Sequence, residues 1–128
     1  MKSRVLIIAV LIVLVAAMAA ACSKEAPEVR VEYSTGDNFT VNLSGTDNRV
    51  FRTMVILVLN EEGLEDFMKT NNARIRDTII PILRELTSDD IRAEKTMETL
   101  KERIMTDVNE RLGIDNIVEV LFNDYVMA

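Results

Sequence analysis

Carboxylates are the side chains in this sequence that recur at spacings suited to acid or base chemistry. Glu61, Glu62, Glu65 and Asp66 crowd one short stretch, and Asp37 and Asp47 stand among Gly, Asn and Ser. A pair of carboxyl groups can divide the acid and base roles of a hydrolysis, and Asp-rich loops can ligate calcium. The surroundings favour neither. Residues 61–66 follow Asn60, a good N-cap, and negative charge in a first helical turn is what the helix dipole stabilises. Asp37 and Asp47 lack the EF-hand spacing and belong to STGDN and SGTDN, whose residues are turn formers. The sequence contains no His. No nucleophile therefore has an imidazole base, and the few serines fall in turns or at the border of the apolar N-terminal stretch.

Cys22 is the one cysteine, which leaves no disulfide within the chain and no Cys/His zinc site. Ala19, Ala20 and Ala21 precede it, and Ser23 and Lys24 follow. Small residues ahead of a single cysteine resemble a bacterial lipobox, in which the cysteine becomes the lipidated N-terminus after cleavage, although Ala19 stands where Leu is usual. Cys22 is thus the candidate lipid-attachment residue. The element that would position it is the charge-free stretch 5–21, preceded by Lys2 and Arg4. Seventeen helical residues extend ~26 Å against a hydrocarbon core of about 30 Å, short for a transmembrane helix and long for a signal-peptide core. An uncleaved single-pass anchor is the alternative to lipidation. Both place residues 1–22 as an anchor or signal segment at the inner membrane, with the remainder in a periplasm-like compartment.

Of the 128 residues, those after Cys22 suffice for one small domain. They carry all 21 acidic residues against 13 of the 15 basic ones, Lys2 and Arg4 lying ahead, a balance of −8. Such a surface argues against nucleic acid and against docking on anionic lipid. Nothing in the sequence calls for a cofactor, a metal or a small-molecule substrate.

Residues 23–37 are expected to be linker and a weak strand in VRVEY, and 38–128 the folded domain. FTVNLS alternates, with Phe39, Val41 and Leu43 on one face. VFRTMVILVL, 50–59, is rich in β-branched residues and apolar on both faces from Met54 onward, as a central strand requires. SGTDN between the two predicts an antiparallel hairpin. A short helix over the 61–70 region would bury Leu64, Phe67 and Met68. A second carries Ile75, Ile79, Ile82 and Leu86 at helical spacing, with a kink expected near Pro81. Thr87-x-x-Asp90 predicts a capping box. A long helix over 95–112 places Met97, Leu100, Ile104, Val108 and Leu112 inward and ends at Gly113. IVEVLFNDYVM, 117–127, predicts a last strand with Val118, Val120, Phe122 and Val126 on one face. The fold class is α+β: a small antiparallel or mixed sheet, in the order β-β-α-α-α-β, covered by helices on one face.

Taken in order, FTVNL, FRTMVILVLN, IRDTIIPILRELTSDDI and VEVLFNDYVM, together with the spacing of KTMETLKERIMTDVNERL, resemble the flagellar basal-body-associated FliL family over residues 38–127. Asn123, Tyr125, Met127 and Pro81 depart from the usual pattern. The resemblance implies a stomatin-like periplasmic domain that assembles as a ring around flagellar stator units, contacts stator and basal-body proteins, supports torque, and is not an enzyme. The alternative is a general envelope lipoprotein acting as an adaptor.

Overall fold

A computed structural model describes residues 1–19 and 26–128. Its elements are α1 (Lys2–Ala19), β1 (Val31–Ser34), β2 (Phe39–Asn42), β3 (Val50–Leu59), α2 (Glu65–Thr70), α3 (Asn72–Arg84), α4 (Ser88–Arg92), α5 (Glu94–Leu112) and β4 (Ile117–Met127). After α1 the order is β-β-β-α-α-α-α-β. The expected order lacked one strand and one helix, because VRVEY forms β1 in its own right and the Thr87 capping box opens a helix of its own. Mixed pairing is also corrected: every strand pair is antiparallel.

β3 is the axis of the sheet. Along one side it pairs with β1, Val31 opposite Leu59, and then with β2, Phe39 opposite Thr53. β1 and β2 are two halves of one edge, interrupted where Gly36 adopts φ 94°. Along its other side β3 pairs with β4 over nearly its whole length. The face carrying Phe51, Thr53, Val55, Leu57 and Leu59 is fully buried. It packs with Phe39 and Val41 of β2, Met68 of α2, Ile75, Ile79, Ile82 and Leu83 of α3, and Leu100, Ile104 and Val108 of α5. Each such side chain contributes about 1.5–3 kcal/mol by leaving water, so this one layer contact is what makes a domain of this size fold.

Two bulges in β4 change which residues face the helices. Thr53 pairs with Tyr125 but Met54 with Asn123, and Val58 pairs with Glu119 but Leu59 with Ile117, so Asp124 and Val118 are each supernumerary. One extra residue resets a period of two. The inward set is therefore Ile117, Val120, Phe122, Tyr125 and Met127, whereas Val118 and Val126, expected inward, are 43% and 45% exposed.

The helix starts also needed tertiary information. Asn60 does not cap a helix. Its backbone N–H donates to Asn116 and its side-chain oxygen accepts from the Asn116 amide, while Gly63 at φ 82° holds the chain in a turn until Glu65. Phe67 consequently lies on the outside, leaving Met68 as the buried residue of α2. α3 runs through Pro81, α4 carries the complete Thr87–Asp90 capping box, and α5 ends at Gly113 in the left-handed conformation, φ 66°.

α1 follows the apolar stretch as far as Ala19. From Val5 its charge-free part spans only ~22 Å, and among the described residues no helix is long and apolar enough to cross a membrane. The spanning helix expected over 5–21 is therefore not supplied by the described part of the chain.

Candidate functional site

Of the carboxylates that suggested chemistry, Asp47 and Glu61 fasten elements together, as do Asp90 and Glu85 elsewhere in the chain. Asp90 accepts from the Thr87 hydroxyl at 2.7 Å and the Thr87 backbone N–H at 2.8 Å. These bonds, the side-chain one foremost, hold its carboxyl below the usual range. Asp47 accepts from the Ser88 hydroxyl, tying the β2–β3 turn to α4, and this bond lowers it in the same way. Glu85 is lowered by the Arg103 guanidinium 2.6 Å away, and Glu61 accepts from the Asn116 amide at 2.9 Å. Glu62, Glu65 and Asp66 point to solvent. The bend between β1 and β2, where Asp37 lies, is clamped rather than open. Arg76 donates to the carbonyls of Thr35 (3.2 Å) and Asp37 (2.7 Å) and stacks 4.0 Å above the Phe39 ring, while Asn72 donates to Thr35 and accepts from the Tyr33 hydroxyl.

Among the described residues, no group of three His, Cys, Asp or Glu side chains is placed to hold a metal. A cavity of about 560 Å³ between α3 and α5 is lined by Asp77, Thr78, Pro81, Asp107, Glu110 and Arg111. It holds no nucleophile with a base to activate it. Cys22, the candidate lipid-attachment residue, lies outside the described residues.

What the domain offers is surface. Among the described residues, helices cover one face of the sheet. On the other, Val50, Met54 and Ile56 of β3 and Leu121 of β4 are half-buried and belong to no core cluster. Val58 on this face is nonetheless 1% exposed; Glu119, opposite it on β4, pairs with Arg30 beside β1. That ion pair raises Arg30 further, chiefly through the hydrogen bond to Glu119. Strict alternation in β4 places Leu121 opposite Val120 and Phe122, as found, and misplaces Val118 and Val126. The signal that could have found the outward turn of Val126 is Asn123-Asp124, a pair that tolerates positive φ; Asp124 takes φ 58° and forms the bulge.

A helix-backed antiparallel sheet, with one face left uncovered by the described helices, defines a class of small α+β domain. Comparison with known proteins names the family. Residues 32–127 match the family described as flagellar basal body-associated protein FliL, and the chain belongs to that family. It is 31% identical over 103 residues to the flagellar protein FliL of Aquifex aeolicus (strain VF5), covering 79% of this chain and 63% of that relative. The chain thus spans less than two thirds of that relative's length. The match takes in β1 to β4, the whole of the sheet and its helical cover.

Proposed function

We propose that this chain is a non-enzymatic accessory protein of the flagellar basal body, associating with stator units at the inner membrane and supporting motor torque. The observation that carries the reading is the family match over residues 32–127, which coincides with the folded unit. A sheet open on one face, with Val50, Met54, Ile56 and Leu121 half-buried on it, is what a domain that works by contact leaves available. On this reading the domain lies in the periplasm, held either by the apolar segment 5–21 or by lipid on Cys22, and copies assemble as a ring beside the stator. Flagellar stator and basal-body proteins are its partners.

Fluorescence localisation of the C-terminally tagged chain in its native host, with and without the stator genes, tests the proposal. Foci at flagellar bases that fade when the stators are removed are the expected result. A uniform envelope signal indifferent to the stators would overturn it. The second reading, an envelope lipoprotein acting as an adaptor without a flagellar role, is favoured by the AAAC-Ser sequence around Cys22. It requires that uniform signal together with a palmitate-analogue label lost in Cys22→Ser.

A further inference from the structure

β4 is an edge strand. It pairs with β3 alone. At its first residue the far edge is closed by Asn109, whose amide donates to the Ile117 carbonyl at 2.8 Å and accepts from the Ile117 N–H at 3.1 Å. Beyond Ile117, no hydrogen bond among the described residues reaches that edge. Between the bulges at Val118 and Asp124 lie five regularly extended residues, 119–123, whose outward N–H and C=O groups can template another strand.

A groove of about 160 Å³ runs beside this edge, floored by Met105 of α5 and Val118 of β4 and rimmed by Glu98, Lys101, Glu102 and Glu119. Lys101 is engaged by Glu98 at 3.1 Å and Glu119 by Arg30. Glu102 forms no ion pair among the described residues, so the rim is acidic with one carboxylate unanswered. A strand laid on this edge would alternate its side chains between the α5 side, where Met105 suits an aliphatic stem and Glu102 a cationic head, and the open face, where Leu121 is apolar.

We propose that the β4 edge takes an extended segment of a partner protein, added antiparallel or parallel to β4, with basic and apolar residues in alternation. Charge complementarity selects this occupant over a second copy of the chain. β1, β2 and β4 contain no basic residue, so no strand edge of a second copy offers Glu102 a cation. The inference rests on the edge and its groove and not on the flagellar reading, so either can fail without the other.

The test uses the full chain and a fluorescein-labelled probe, acetyl-Lys-Val-Lys-Val-Lys-Val-Lys-amide, measured by anisotropy. Two control probes replace every Lys by Glu or N-methylate alternate backbone amides at unchanged charge. Binding of the basic probe is expected to weaken about tenfold on N-methylation, since several backbone hydrogen bonds are lost. It should weaken at least about fivefold in Glu102→Lys, an exposed position that leaves the fold intact, and the Glu-containing probe should not bind. Equal binding of the N-methylated probe would reduce the contact to general charge attraction and overturn the proposal. So would indifference to Glu102→Lys, absence of binding altogether, or self-association of the chain that Glu102→Lys abolishes while probe binding is kept.

Discussion

Arg76→Met should destabilise the domain by about 2 kcal/mol, a loss assembled from three contacts of one side chain. The guanidinium donates to Asp37 at 2.7 Å and to Thr35 at 3.2 Å, and a hydrogen bond from a charged donor is worth about 1.5–3 kcal/mol when buried. Here both are discounted. Thr35 keeps the Asn72 donor, and Asp37 is exposed and turns to water, which leaves about 1.5 kcal/mol for the pair. Stacking over Phe39 at 4.0 Å adds about 0.5–1 kcal/mol. With a urea slope of about 1–3 kcal/mol/M for a domain of this size, the midpoint should fall by about 1 M at unchanged slope. Arg76→Lys should recover about half, because an ammonium keeps the charge over the ring but cannot bridge two carbonyls at once. Urea unfolding followed by circular dichroism measures all three chains. A loss below about 0.5 kcal/mol for Arg76→Met would refute the view that α3 clamps the β1–β2 bend.

Thr87→Ala removes the hydroxyl that accepts from the Asp90 N–H and should cost about 1 kcal/mol, with Thr87→Ser recovering most of it in the same unfolding assay. Ile79→Ala, at a fully buried position, should cost about 2–5 kcal/mol and lower the thermal midpoint by many degrees. Asp47, Glu85 and Asp90 all have folded-state pKa values lowered by their partners. The stability they contribute is complete above the ordinary carboxylate range near pH 4 and is lost as pH falls through their lowered values, so an acid titration should show unfolding below about pH 4 and a flat profile from there to neutrality. Asp124→Gly should be neutral or stabilising by up to about 1 kcal/mol, since φ 58° strains a residue with a side chain and not glycine.

Elements whose identity depends on local pattern were legible. Residues 50–59 form β3 and 117–127 form β4 at the expected limits, Thr87-x-x-Asp90 makes its capping box, and Gly113 ends α5. What escaped depends on pairing across the sheet. Asn60 has every local property of an N-cap, yet Asn116, brought beside it by β3–β4 pairing, takes its hydrogen bonds. Val118 and Val126 satisfy strict alternation, but β4 accommodates a shorter partner by bulging, and register is a property of two strands that one strand's pattern does not contain. Glu65 and Asp66 stand in the first turn of α2, while the partners that other carboxylates take, Ser88, Arg103 and Arg30, were not foreseeable, because they lie as much as 89 residues away.

The same bulges that defeat alternation also organise the surface. Without the extra residue at Asp124, Tyr125 and Met127 would leave the core, and Phe51 would lose the ring that meets it edge-on at 4.8 Å. With it, the core keeps its aromatic pair while Val126 is turned outward next to Arg52 on the open face. The bulge at Val118 acts likewise at the other end, keeping Ile117 under α5 and exposing a valine at the mouth of the groove beside Glu102. Both irregularities thus spend backbone regularity to separate two demands on one strand, an apolar side that must pack and a side and edge that stay available. A flat, regular β4 would turn Tyr125 and Met127 out of the core and would leave a continuous edge open to self-pairing. The interrupted edge, limited to residues 119–123 and bordered by carboxylates, is suited to a short and chemically matched contact.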